Sequence, residues 1–277
     1  MVRATARARQ VRRAPWTESA RNNQLPPAGD WRTWLILAGR GWGKTRTGAE
    51  WVLENARNGV RRAALVGATA SDVRDVMVEG ESGILACAQQ DERPTYEPSK
   101  RRLTFPSGAV CTTYTADEPN RLRGPQHEVA WADELAAWRY GQEAWDTLML
   151  GLRIGKNPRV LATTTPKPVG LLRDLVEADN TAVTRGNTYE NRDNLAGAFF
   201  EQIVSQYEGT RLGRQEIYAE LLEDVEGALW HHPWIDQNRV TLAAFTGSMV
   251  SITRMVVAID PAVTHGENSD DTGIVVA

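Results

Sequence analysis

The sequence predicts an α/β fold: a mostly parallel sheet covered by helices on both faces. Three observations predict it. Apolar runs of strand length alternate along the chain with helix-length amphipathic segments. Those runs are nearly continuous in hydrophobic character, as strands covered on both faces require. The first of them, Trp34-Leu35-Ile36-Leu37, delivers the chain to a glycine-rich turn that opens a helix.

The elements follow in order. Residues 1–20 read as an irregular basic arm, expected to be disordered. Pro26-Pro27-Ala28-Gly29-Asp30 is a loop that feeds the first strand. Thr45 to Asn58 is an amphipathic helix, with Ala49, Val52, Leu53 and Ala56 on one face and Gly59 as its stop. Arg62 to Gly67 is a buried strand, and Ser71-Asp72 caps a short helix running to about Glu79. Arg101–Phe105 and Ala109–Tyr114 flank Pro106-Ser107-Gly108, a hairpin pattern. Glu128–Ala132 and Arg159–Thr163 are strands, Gln142–Leu150 and Val169–Asp179 are helices, and Ala182–Thr184 is a further strand. Beyond residue 195 the pattern changes. Phe199–Tyr207 and Arg211–Leu222 are helical, Gly227–Gln237 is a connector, and Met255–Ile259 and Gly273–Ala277 are strands.

Composition sets limits. Hydrophobic residues make up 42% of 277, enough for a sizeable core. No apolar run approaches the ~20 residues of a membrane span. The N-terminus is basic but has no apolar segment, so it is not a secretory signal. Cys87 and Cys111 lack metal-type spacing and read as small buried residues in a reducing compartment. The net charge of −3 does not announce a nucleic-acid binder. Yet Arg3, Arg7, Arg9, Arg12, Arg13 and Arg21 face a single acid, Glu18, over the first 21 residues. Two readings stand for that arm: contact with DNA phosphates or an acidic partner, and a solvated tail.

The turn after the first strand is Gly39-Arg40-Gly41-Trp42-Gly43-Lys44-Thr45. Its layout is that of a phosphate-binding loop, although the pattern expects glycine where Ala38 stands. Backbone N–H groups of such a loop cradle phosphate oxygens, and the helix that follows adds its positive dipole end. Lys44 would reach the β- and γ-phosphates, and the Thr45 hydroxyl would hold Mg²⁺. Arg40 is unusual in such a loop and is placed to act as an arginine finger within its own subunit. Trp42 is a packing residue or a lid.

A second motif completes the chemistry. Val129-Ala130-Trp131-Ala132-Asp133-Glu134 is an apolar strand ending in paired carboxylates. Asp133 would bind Mg²⁺ beside Thr45, and Glu134 would polarise the water that attacks the γ-phosphate. The next strand ends in Thr163-Thr164-Thr165-Pro166, whose hydroxyls are expected to face the γ-phosphate and report its loss to a moving part. The loop Pro119–Pro125 carries Arg121 and Arg123. One of them supplies charge to a neighbouring subunit's γ-phosphate, or both pair with surface acids. The strand at 62–67, lying in sequence between the loop and the acid pair, suggests the strand insertion that marks the additional-strand P-loop ATPases.

Together these motifs resemble the large terminase subunit of tailed bacteriophages and related gene-transfer particles. The resemblance rests on the Gly39–Thr45 loop with its arginine, Arg123-Gly124 ahead of Ala130–Glu134, and Thr163-Thr164-Thr165-Pro166. It also rests on Gln24-Leu25-Pro26-Pro27, similar to the family's adenine-sensing segment, and on Ala258-Ile259-Asp260-Pro261-Ala262, similar to the opening of its nuclease domain. The resemblance implies an ATP- and Mg²⁺-dependent motor that drives double-stranded DNA into a capsid. Its implied partners are a small terminase subunit and a portal protein, and it would work as a homo-oligomeric ring in the bacterial host's cytoplasm. An RNase H-like nuclease domain would follow, holding two divalent metals. Asp260 matches its first carboxylate, Asp270 or Asp271 assists or is a turn residue, and the others would lie beyond residue 277.

The expected domains are therefore an arm at 1–20, an ATPase domain at 21–225 with a helical segment from 195, a linker at 226–250, and the first strands of a nuclease at 251–277. ATPase competence without DNA cleavage is expected of this chain. The alternative reading is a helicase or DNA-dependent ATPase of repair or recombination. Residues 195–277 show no second motor motif set, which favours packaging.

Overall fold

A computed structural model describes residues 15–222 and the strands 257–260 and 273–276. The chain divides into two compact units, Met1–Glu223 and Asp224–Ala277.

In the first unit a helical turn, α1 (Trp16–Ser19), falls within the stretch read as an irregular arm. Then come β1 (Thr33–Ala38), α2 (Lys44–Arg57) and β2 (Arg62–Gly67), followed by a π-helical stretch at Asp72–Val78 and the short α3 (Ile84–Cys87). Strands β3 (Thr95–Glu97), β4 (Arg102–Thr104) and β5 (Val110–Thr115) form a meander. It is followed by β6 (Val129–Asp133), α4 (Gly141–Gly151), β7 (Arg159–Thr164), α5 (Gly170–Glu177) and β8 (Thr181–Gly186). Two short helices, α6 (Ser205–Tyr207) and α7 (Arg211–Glu216), end this unit's described part.

The eight strands make one sheet in the order β3-β4-β5-β2-β6-β7-β1-β8. The run from β5 to β8 is parallel, and β3 and β4 add an antiparallel edge. The α/β prediction therefore holds. The strand that separates β1 from β6 is β7, whereas β2 lies on the far side of β6. Sequence order points instead to the 62–67 strand for that place. A buried apolar run satisfies the core equally well on either side, so only the pairing register distinguishes the two.

Alternation along β1 shows why its residues are apolar throughout. Trp34, Ile36 and Ala38 enter a core with α2, the π-helical stretch and α3, while Leu35 and Leu37 enter a second core with α4 and α5. Helix α2 lies close on the sheet because Gly48 has no side chain: a Cβ there would sit 2.1 Å from the Trp131 ring. A third, smaller cluster of Phe200, Val204 and Ile217 packs against Tyr189, Leu195, Phe199 and Tyr207.

Some elements depart from expectation. Helix α7 stops at Glu216 rather than running to Leu222. Its terminal carbonyls are used elsewhere: Glu216 accepts the Arg40 N–H at 2.7 Å and Ile217 accepts the Thr188 N–H at 2.9 Å. Ala219 then adopts a left-handed conformation, φ 57°, which turns the chain away. Strand β3, three residues behind Pro94, is too short to show a period.

In the second unit, β9 (Val257–Asp260) and β10 (Gly273–Val276) form an antiparallel pair, with Asp260 opposite Gly273. This matches the two strands expected there. Two strands do not define an RNase H-like sheet. Asp270 and Asp271, the arm up to residue 14 and the connector at 226–250 lie outside the described residues.

Candidate functional site: a phosphate-binding cleft

The carboxyl ends of β1, β6 and β7 meet at a cleft with a volume of about 910 Å³. Open parallel sheets place ligands at this end. Its walls include Gly41, Gly43, Lys44 and Thr45 from the loop, Glu134 after β6 and Thr165 after β7. Arg40, Arg21 and Gln24 also face it.

The loop starts from Ala38, which closes β1 in extended conformation, so no glycine is needed there. Gly39 does need to be glycine. A Cβ would stand 2.5 Å from the Ile217 carbonyl and 2.8 Å from that of Glu216. Gly41 (φ 77°) and Gly43 (φ 105°) occupy left-handed backbone that winds the loop into the start of α2. The first N–H groups of α2, from Lys44 onward, have no intrahelical acceptor and open toward the cleft.

Lys44 is buried. Its Nζ donates to the Ala38 carbonyl at 3.0 Å and to Thr165 Oγ1 at 2.9 Å, and it lies 3.4 Å from Glu134 Oε1. Glu134 stands in left-handed backbone, φ 49°, just beyond β6, and its other oxygen accepts the Thr165 N–H at 3.2 Å. That turn swings the carboxylate out of the sheet and toward the loop. Its neighbour Asp133 stays in β6, buried, and takes a hydrogen bond from Thr163 Oγ1 at 2.5 Å. Burial, reinforced by the charge of Glu134, pushes the Asp133 carboxyl up to about 7.

The three threonines have different partners. Thr163 braces Asp133 and accepts the Trp131 indole N–H at 3.0 Å. Thr164 points to the other face and accepts the Ala136 N–H at 3.1 Å. Thr165 alone reaches the cleft. The expectation that all three hydroxyls face the phosphate is thus corrected to one: alternation turns Thr164 to the other face, and the Thr163 hydroxyl is engaged with Asp133.

Trp42 is a packing residue. Its side chain is fully buried against Gly186, where a Cβ would come within 2.0 Å of the indole. Gln24 is buried beside the loop and donates to Thr47 Oγ1 at 3.2 Å. Arg121 pairs with Glu118 at 2.6 Å, and Arg123 is exposed. Neither lines the cleft of its own chain.

A carboxylate and a hydroxyl, Asp133 and Thr45, are hard oxygen donors of the kind Mg²⁺ takes. No cluster of three acidic, histidine or cysteine side chains suited to a metal occurs among the described residues. A cation at these two residues would complete its shell with phosphate oxygens and water, as Mg²⁺ commonly does.

Sequence reasoning missed the segment Asn187–Asn194. It places Asn191 and Asn194 on the cleft wall, with Leu195 directly after them. The one signal for it is the Asn187/Glu190 capping box, a local pattern that says nothing of a distant loop.

Residues 35–237 match the family described as terminase large subunit, T4likevirus-type, N-terminal. The chain belongs to this terminase family. No curated protein matches the sequence. Among solved structures the chain is similar to the large terminase ATPase domain of Thermus phage P74-26, with TM-score 0.54 and 13% identity over 70% of this chain and 90% of that one. It is also similar to the large terminase of a thermophilic bacteriophage in complex with ADP, with TM-score 0.56 and 15% identity over 69% of this chain and 48% of that one. The same thermophilic phage's large terminase with ATP-γ-S gives TM-score 0.55 at 12% identity, over 75% of this chain and 50% of that one. The terminase chain here thus spans about half the length of that second phage's protein. At these identities the likeness establishes a shared fold. No described helix is long and apolar enough to cross a membrane.

Proposed function

We propose that this chain is the ATPase of a DNA-packaging motor, hydrolysing ATP with Mg²⁺ to move double-stranded DNA into a capsid. The observation that carries the reading is the convergence of Lys44, Glu134 and Thr165 at the loop, in a chain of the terminase family. The triphosphate would lie along the loop N–H groups, with its γ-phosphate taking the place of Glu134 beside Lys44. Glu134, released from that pair, would then orient and polarise the attacking water and accept its proton. Mg²⁺ held by Thr45 and Asp133 would neutralise charge on the β- and γ-oxygens. Thr165, bonded to Lys44 across the cleft, is placed to sense the γ-phosphate. Gln24 would read the base, Arg40 would add charge within the subunit, and Arg123 would reach a neighbour's site in a ring.

Double-stranded DNA, a small terminase subunit and a portal protein are the proposed partners, in the cytoplasm of a bacterial host. Asp260 and Asp271 remain candidates for a two-metal nuclease site, which needs carboxylates from further elements. ATP turnover measured with duplex DNA, with single-stranded DNA and without DNA tests the motor reading. Stronger stimulation by the duplex supports packaging. A preference for single strands overturns it in favour of a helicase.

A further inference from the structure

Three successive carbonyls of the loop are held by side chains from outside it. Thr188 Oγ1 donates to the Arg40 carbonyl at 2.7 Å, Asn191 Nδ2 donates to the Gly41 carbonyl at 2.7 Å, and Arg21 donates to the Trp42 carbonyl at 2.5 Å. The clamps are themselves tied together. Arg21 also donates to Asn191 Oδ1 at 3.0 Å, and Asn194 donates to the same oxygen at 3.0 Å. Glu190 accepts the Trp42 indole N–H at 2.9 Å and the Asn23 amide at 2.7 Å, locking the buried side of the loop.

In a trans peptide the N–H of one residue points opposite to the carbonyl of the residue before it, and no cis bond occurs among the described residues. Holding the Arg40 carbonyl on the buried Thr188, which does not line the cleft, therefore turns the N–H of Gly41 the other way, at a residue that does line it. The N–H of Trp42 is drawn back to the Gly39 carbonyl at 3.3 Å. A loop rich in glycine would otherwise sample many peptide orientations, and an anion would have to order it on binding.

We infer that Thr188, Asn191 and Arg21 are positioning residues that pre-set the loop's N–H groups for phosphate, so that the Asn187–Asn194 segment is part of the phosphate site. This rests on the reading of the cleft as a nucleotide site. It adds that the helical part of the chain and the phosphate loop are one hydrogen-bonded unit.

Thr188 is fully buried, so Thr188→Val keeps its shape and removes only the hydroxyl. Binding of Mg·ATP and of inorganic tripolyphosphate to the whole chain is measured by calorimetry, with thermal melts alongside. Thr188→Val and Asn191→Leu should each weaken both ligands by the same factor, about tenfold. Thr188→Ser should recover most of that loss. Melting temperature must not account for the change, so binding is compared well below the lowest melt. A variant that melts lower yet binds both ligands like the parent overturns the inference. So does a loss confined to ATP, which would point to the base. If the parent chain binds neither ligand, or Lys44→Ala binds as the parent does, the nucleotide site itself fails. Binding by the parent and loss in Lys44→Ala, with unchanged affinity in both clamp variants, sinks the clamp alone.

Discussion

Glu134 stands in left-handed backbone that costs a non-glycine residue roughly 1–2 kcal/mol, and this conformation brings its carboxylate to Lys44 and the Thr165 N–H. Backbone strain of this kind concentrates at active sites, which is the ground for testing Glu134 as the catalytic base. Replacing the carboxylate by an amide should therefore leave ATP binding near normal and cut turnover by about two orders of magnitude or more. Near-normal turnover of Glu134→Gln would remove its assignment. Lys44 makes the opposite case. Lys44→Ala should abolish hydrolysis and weaken nucleotide binding, because the buried ammonium is the cleft's deepest cation. Thr163→Val leaves Asp133 without its hydroxyl partner and should raise the Mg²⁺ concentration needed for half-maximal turnover. An unchanged Mg²⁺ dependence would separate Asp133 from the metal. At this scale the loop, Asp133 and Glu134 were legible because the chemistry fixes their spacing and residue types. The turning away of Thr164 follows from the strand's period of two, yet the difference between Thr163, bonded to Asp133, and Thr165, in the cleft, depends on neighbours from distant elements.

At the scale of elements, Gly48 sets how closely α2 lies on β6. Alanine favours a helix over glycine by about 1 kcal/mol, but the added Cβ would meet the Trp131 ring at 2.1 Å. The ring is buried and bonded to Thr163, so it has little room to yield. Overpacking should win, with Gly48→Ala destabilising by about 1–3 kcal/mol in a denaturant melt. A stabilised variant would show that α2 can shift. Leading into β6, His127 is buried with both ring nitrogens unpartnered, edge-on to Tyr114. Burial, aided by the charge of Arg62, holds its pKa near 4 against an ordinary 6.5. Between those values the unfolded chain binds a proton that the folded chain refuses. Stability should therefore fall as pH drops from about 6.5 to about 4, by up to about 3 kcal/mol, and His127→Phe should flatten this part of the profile. An identical profile in the variant would assign the loss to other groups. The main strands and helices were legible from apolar periodicity. Two placements were not. The choice of β7 as the strand between β1 and β6 depends on pairing register, and the end of α7 at Glu216 depends on carbonyls claimed by the distant Arg40 and Thr188.

For the whole molecule, the family match across residues 35–237 and the shared fold with phage terminase ATPase domains set the frame, and the cleft supplies the chemistry. The phosphate loop is joined to the N-terminal stretch through Arg21, to the Asn187–Asn194 segment through Thr188 and Asn191, and to α7 through the Arg40 N–H on the Glu216 carbonyl. The most direct test of the account is a single-turnover measurement of Mg·ATP on the purified chain beside Glu134→Gln and Lys44→Ala. The parent should bind and cleave ATP, Glu134→Gln should bind it and leave it intact, and Lys44→Ala should neither bind it tightly nor cleave it. Cleavage at the parental rate by either variant would contradict the account.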